Sequence, residues 1–247
     1  MSTALGIDVG GSGIKGALVD LAIGEFAAGR IRIPTPQPAT PDAVATTIAA
    51  VVAQTGWSGP RFGCALPGVV TDGMVRTAAN IDPTWVDCDA RTLIATVVGK
   101  PVTLLNDADA AGLAEMRFGT GRGETGVVIL LTFGTGIGSA VFSDGILVPN
   151  SELGHIEIAG VEAEKCASAK AKEDEELNYP EWATRVNRYL DALETILWPD
   201  LIVIGGGISK DHAEFIDLLE TRTRVLPAAL RNHAGIIGAA LACQERT

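Results

Sequence analysis

The chain has 247 residues, nearly half of them apolar, and 19 basic against 30 acidic side chains give a formal charge of −11. That length accommodates one large or two small domains, and the acidic balance argues against a nucleic-acid binder, which needs a basic face. No apolar stretch reaches membrane-span length, no basic segment precedes an apolar core at the N-terminus, and the four cysteines (Cys64, Cys88, Cys166, Cys243) show no paired spacing; a cytoplasmic protein with no membrane association and no disulfides is expected.

Strands are expected near 4–9, 13–19 and 26–33 as an opening meander. The first ends in Asp8, and Gly10-Gly11-Ser12-Gly13 turns at once into the second, with Lys15 just inside it. Such a hairpin exposes backbone N–H groups and one carboxylate at its tip, and glycine lets a phosphate approach the backbone. Four prolines between Pro34 and Pro41 make an extended connector. Thr40-Pro41-Asp42 then starts a helix running to about Gln54. Phe62–Leu66 reads as a buried strand turned by Pro67-Gly68. A helix from about Ala90 to Val98 leads to strand Val102–Leu105, and Asn106 opens a helix to about Phe118, broken by Gly119-Thr120-Gly121-Arg122-Gly123.

The same grammar then returns. A buried strand from Val127 to Leu131 enters the turn Thr132-Phe133-Gly134-Thr135-Gly136-Ile137-Gly138, and a further strand follows. The acidic run Glu162 to Glu181, mixed with Lys165, Lys170 and Lys172, reads as a solvated helix face and its loop, with helices near 163–177 and 180–197. Leu201–Ile204 is apolar on both faces, as a strand inside an α/β sheet is, and ends in Gly205-Gly206-Gly207. No Gly-Lys-Ser/Thr follows, so this is not a P-loop. Three glycine-rich junctions, two of them hairpins, suggest a duplicated phosphate-binding unit. A last helix starts at Gly235, and the expected domains are 1–106 with 235–247, and 107–234.

Polar groups suited to a polyol gather at the junctions. Asn106-Asp107 sits where a strand gives way to a helix; a carboxylate there can take a proton from a bound hydroxyl while the amide orients it. Asn and Asp are equally ordinary helix N-caps. Ser151-Glu152-Leu153-Gly154-His155 offers a carboxylate and an imidazole three apart, and Asn80 adds an amide in a loop.

These segments together resemble the ROK-type sugar kinases of the actin/hexokinase-like superfamily, most narrowly the bacterial polyphosphate glucokinases and polyphosphate/ATP-glucomannokinases. The resemblance is carried by Gly6–Gly16, Asn80-Ile81-Asp82 with Trp85, Leu105–Gly112, Thr132–Gly138, Glu152-Leu153-Gly154-His155-Ile156-Glu157 and Trp198–Gly207, in family order across nearly the whole chain. It implies a two-domain actin-like ATPase (ribonuclease H-like) α/β fold with a ligand cleft between the lobes. It implies transfer of a phosphoryl group from polyphosphate or ATP, with Mg²⁺, to the 6-hydroxyl of glucose, mannose being the other candidate acceptor. Asp8, Gly10, Gly11, Ser12, Gly13 and Lys15 would face the donor, with Asp8 toward the metal. Thr132, Gly134, Thr135 and Gly136 would hold a second phosphate group, and Gly205, Gly206 and Gly207 would lie against adenosine. Asp107 would be the general base, and Gly68, Asn80, Asn106, Glu152, His155 and Glu164 would bind the sugar. A homodimer is the family's habit.

One departure matters. Many ROK proteins carry a cysteine-rich zinc element soon after the histidine that aligns with His155, and here that stretch holds only Cys166. No zinc site is expected, which frees His155 for the sugar. The competing readings are a non-catalytic ROK-type sugar sensor, a kinase for another hexose using ATP alone, and a longer actin-type ATPase. A sensor would carry a helix-turn-helix before the first glycine-rich loop, whereas Asp8 comes almost at once; an actin-type ATPase would not need the sugar set.

Overall fold

The structure is a computed structural model and describes residues 3–78 and 81–245. Asn80 lies outside the described residues. The chain forms two compact units, Met1–Ala114 with His233–Thr247, and Glu115–Asn232.

The first unit opens with β1 (Thr3–Gly10) and β2 (Gly13–Asp20), followed by β3 (Glu25–Phe26) and β4 (Ile31–Ile33). The expected strand 26–33 is therefore two short strands. Both pair with β2, Phe26 opposite Val19 and Ile31 opposite Gly16, and the exposed Ala28–Arg30 segment departs from the ladder between them, after the Ala27 N–H has bonded the Leu18 carbonyl. Helix α1 (Pro41–Thr55) starts as read, with Thr40 capping the Ala43 N–H, and ends at Gly56 in the left-handed conformation. Then come β5 (Phe62–Leu66), the small hairpin β6 (Val70–Thr71) and β7 (Met74–Val75), α2 (Ala90–Val98), β8 (Val102–Asn106) and α3 (Asp107–Phe118).

The second unit contains β9 (Val127–Phe133), β10 (Ile137–Ser143), β11 (Ile146–Val148), β12 (Glu157–Ile158), β13 (Val161–Glu162), α4 (Ala163–Ala167), α5 (Ala169–Asp174), α6 (Tyr179–Leu197), β14 (Leu201–Gly205) and β15 (Arg224–Pro227). The single helix expected near 163–177 is two, because Ser168 leaves the helical conformation and caps α5 through the Ala171 N–H. The residues after Gly206 form a kinked 3₁₀ segment, Gly207–Glu214. Helix α7 (Ala234–Glu245) returns the chain to the first unit.

The two sheets share one plan. The first runs β3-β2-β1-β5-β8 and the second β11-β10-β9-β14-β15. In each, an antiparallel hairpin continues into two parallel strands. The expected duplication is thus a duplication of topology, and it aligns the carboxyl ends of β1, β5 and β8 in one unit and of β9 and β14 in the other. Ligands collect beyond such ends. In the first unit α7 lies directly on the sheet: a Cβ on Gly6 or Gly63 would stand 1.9 or 1.7 Å from a carbonyl oxygen of α7. The boundary expected at Asn106 falls at Ala114 instead, and the second crossing moves from 234/235 to 232/233. The start of α3 belongs to the first unit because Ala110 packs with Ala65 and Ala239.

Candidate active site

In the first unit, Asp8, Gly10, Gly11, Ser12, Gly13 and Lys15 form one hairpin tip. Asp8 stands opposite Lys15, and Gly10 opposite Gly13, across the β1–β2 ladder. The Lys15 Nζ lies 3.1 Å from Asp8 Oδ2, an ion pair with both side chains largely shielded. The connector after β2 laces the turn from outside. Arg32 Nη2 donates to the Ser12 carbonyl at 2.8 Å, and the Thr35 hydroxyl donates to the Gly10 carbonyl. Two turn carbonyls are thereby occupied. What such a turn can still offer an anion is its backbone N–H groups, the arrangement that binds phosphate in glycine-rich turns. Neither Arg32 nor Thr35 was singled out by sequence, since each sits in an unremarkable extended stretch 20 or more residues from its partner.

Gly68, Asn106 and Asp107 come together at the ends of the neighbouring parallel strands. Asn106 is buried and does what an N-cap does: its Oδ1 accepts from the N–H groups of Ala108 and Asp109 at 2.8 and 3.0 Å. Its Nδ2 donates to the Gly68 carbonyl at 3.1 Å, and among the described residues nothing takes its second amide hydrogen. The capping and hydroxyl-binding readings of Asn106 are therefore compatible. Asp107 opens α3, and its Oδ1 accepts from the Ala108 N–H at 2.9 Å. Gly68 has φ of 145° and faces Thr77, whose carbonyl oxygen a Cβ would meet at 2.6 Å, so glycine is required there. A pocket of about 200 Å³ lies beside the Gly10-Gly11 turn, bounded by Val9, Gly11, Thr35, Leu66, Asp82 and Trp85.

In the second unit, the two remaining glycine-rich junctions are neighbours. Gly205 pairs with Thr132 between the parallel strands β14 and β9. Gly206, at φ 81°, presses on Phe133 so closely that a Cβ would stand 2.4 Å from its carbonyl oxygen. The Gly134-Thr135-Gly136 turn is closed by the Gly134 N–H on the Gly136 carbonyl and anchored by the Lys170 N–H on the Gly134 carbonyl, both at 3.0 Å.

Glu152, His155 and Glu164 also meet in this unit. Ser139, inside β10, holds the loop that carries the first two: its hydroxyl donates to the Ser151 carbonyl at 2.6 Å and accepts from the Leu153 N–H at 2.9 Å. Gly154 fits because a Cβ would lie 2.2 Å from the Ile137 carbonyl oxygen. His155 Nε2 is 3.6 Å from Glu152, and its Nδ1 is 3.6 Å from Glu162 and 3.9 Å from Glu164. Glu164 also accepts from the Ile137 N–H at 3.3 Å, linking this cluster to the end of the second glycine turn. Partial burial raises the Glu152 carboxyl, with Glu164 adding to the rise and His155 opposing it. The Lys165 ammonium, 2.6 Å away, holds Glu162 below the usual carboxylate range. Glu162 and the buried Tyr189 beneath the cluster are residues that sequence did not flag. The Tyr189 hydroxyl has no hydrogen-bond partner among the described residues, and burial with the charge of Glu164 pushes its ionisation upward. Ligand atoms of His155, Glu162 and Glu164 lie within 4.8 Å of one another, a grouping that a search for cysteines could not reveal.

The ROK family model matches residues 4–177. The polyphosphate glucokinase of Mycobacterium tuberculosis (strain H37Rv) is 58% identical over 238 residues, covering 96% of this chain and 89% of the relative. The inorganic polyphosphate/ATP-glucomannokinase of Arthrobacter sp. strain KM superposes with a TM-score of 0.95 at 47% identity, over 99% of this chain and 100% of that one. A ROK family glucokinase from Streptomyces griseus, solved in complex with glucose and AMPPNP, superposes at 0.84 with 26% identity, over 98% and 99%. The chain belongs to the ROK family, as a sugar kinase with that family's two-domain, actin-like α/β fold.

Proposed function

We propose that the chain transfers a phosphoryl group from polyphosphate or ATP to the 6-hydroxyl of glucose, and that mannose is also accepted. The observation that carries this reading lies in the first unit. The donor-type turn after β1 and the Asn106-Asp107 pair after β8 end strands of one sheet separated only by β5, on the order of 10 Å apart at the usual strand spacing. The names of the similar polyphosphate glucokinase and glucomannokinase support the choice of donor and acceptor.

Phosphoryl transfer requires an in-line hydroxyl, a proton acceptor, and stabilisation of charge spreading over the phosphoryl oxygens. The Asp107 carboxylate accepts the proton of the 6-hydroxyl, and the second Asn106 amide hydrogen fixes that hydroxyl's direction. Glu152, His155 and Glu164 accept and donate hydrogen bonds to the ring hydroxyls, the carboxylates serving sugar rather than zinc. The N–H groups of the Gly10–Gly13 turn and the Lys15 ammonium stabilise the transferring group. Gly134–Gly138 hold a second phosphate group, and Gly205–Gly207 lie against adenosine when ATP is the donor. Asp8 suits Mg²⁺: Lys15 takes Oδ2, whereas Oδ1 faces Gly235, where a Cβ would stand only 3.3 Å away. Held by Asp8 and donor oxygens, Mg²⁺ would neutralise phosphate charge. The four cysteines are free, which supports a reducing cytoplasm as the place of work; no helix among the described residues is long and apolar enough to cross a membrane.

The test crosses glucose and mannose with polyphosphate and ATP in the presence of Mg²⁺, reading sugar 6-phosphate. Product from glucose with polyphosphate is expected. Folded protein that yields none in any of the four combinations overturns the reading.

A further inference from the structure

A chain carrying −11 repels a polyanion at long range, so a polyphosphate donor has to be held by cations placed locally. Most basic side chains of the acidic segment and its surroundings are already engaged. Lys165 is paired with Glu162 at 2.6 Å, Lys170 with Asp174 at 2.7 Å, and the Lys172 ammonium sits over the Tyr179 ring. Arg32 differs. Among the described residues it pairs with no carboxylate, it is exposed, and its one hydrogen bond runs to the Ser12 carbonyl in the donor turn.

Its placement is specific. Arg32 on β4 stands opposite Lys15 on β2, which stands opposite Asp8 on β1. Directly opposed residues share a face of the sheet, so Asp8, Lys15 and Arg32 form one row leading outward from the turn. The guanidinium lies against Gly13, where a Cβ would stand 2.7 Å from Nε and 2.9 Å from Cζ. The bond to Ser12 uses one edge of the planar fork, leaving the remainder to grip phosphate oxygens. Lys15 shares its charge with Asp8, whereas Arg32 brings an uncompensated one. Arg30, two positions before it, is exposed and likewise pairs with no carboxylate among the described residues.

We infer that Arg32 is a donor-binding residue that grips the polyphosphate chain further out than the phosphates held at the Gly10–Lys15 turn, and so favours polyphosphate over ATP. The inference rests on the reading of the Gly10–Lys15 turn as the donor site. Polyphosphate carries charge on every successive unit and gains from a cation further out along the row. ATP carries only three phosphates before an uncharged nucleoside.

The test measures KM for long-chain polyphosphate and for ATP, at saturating glucose, in the wild type, Arg32→Gln and Arg32→Lys. Arg32→Gln is expected to raise KM for polyphosphate about tenfold or more, the scale of losing a charge-assisted contact, while KM for ATP moves less than about threefold. It should also flatten the dependence of KM on salt, since one fewer phosphate is neutralised. Arg32→Lys keeps the charge without the fork and should fall between. An equal rise for both donors would reduce Arg32 to a prop for the turn, and no change for either would remove it from donor binding; both overturn the inference. Thermal melts of each variant separate a folding defect from a binding one, and Arg32→Lys carries the test if Arg32→Gln does not fold. A wild type that uses ATP and ignores polyphosphate overturns the donor assignment itself, an outcome distinct from the other two.

Discussion

The two glycine hairpins of this chain share a topology and diverge in chemistry at one register position. Counting back from the pair that closes each turn, the second pair in the first unit is Asp8 with Lys15, and in the second unit it is Leu131 with Ser139. In the first unit that position carries an ion pair beside the phosphate-type turn. In the second it is buried, and Ser139 spends its hydroxyl on Ser151 and Leu153, building the loop that presents Glu152 and His155. One position in a repeated backbone therefore carries an ion pair in one copy and holds the loop bearing Glu152 and His155 in the other. The outer parallel strands diverge as well. β8 ends in Asn106 and leads to Asp107, whereas β15 ends in Pro227 and leads to Ala228, with no carboxylate. The repeat supplies a scaffold, and function lives in the side chains placed on it.

The largest expected effect tests that last difference. Asp107→Asn should lower kcat by about a hundredfold or more, the usual scale for losing a general base. Glucose binding, followed by calorimetry, should change much less because the amide is nearly isosteric. An unchanged kcat would remove Asp107 from the chemistry and erase the distinction between the two outer strands.

A smaller effect concerns the loop held by Ser139. The Glu152 carboxyl is raised in the folded state, first by burial. A group raised in this way contributes stability fully below its ordinary carboxylate value and loses it as pH rises through the raised value. At neutral pH the ionised carboxylate thus costs stability, and Glu152→Gln should raise Tm there while raising KM for glucose. The gain in Tm should shrink as pH falls into the carboxylate range. A gain that grows on acidification would contradict the assigned environment.

Much of this was legible in the sequence because it is local. The Gly10–Gly13 turn, the Thr40 cap, the apolar β14 and the Asn106-Asp107 junction each depend on neighbouring residues, and each appears within a few positions of its expected place. What escaped is what depends on distant partners. Arg32 meets Ser12 only because β4 pairs with β2, and Ser139 meets Leu153 only because the chain folds back after β11. The boundary at Ala114 escaped for the same reason, since it is set by Ala110 packing on α7 from the far end of the chain. Tyr189 looks like any core aromatic until its hydroxyl is found buried near Glu164.

The central claim is that the equivalent register positions of the two hairpins have been given to different substrates. Its most direct test is a pair of steady-state measurements on Lys15→Met and Ser139→Ala, with KM determined for donor and for glucose in each. Lys15→Met should raise the donor KM and leave that for glucose near the wild-type value. Ser139→Ala, which removes two loop-holding hydrogen bonds worth about 0.5–1.5 kcal/mol each, should raise the glucose KM on the order of tenfold and leave that for the donor alone. Two variants that shift the same KM, or that exchange effects, would contradict the division of labour.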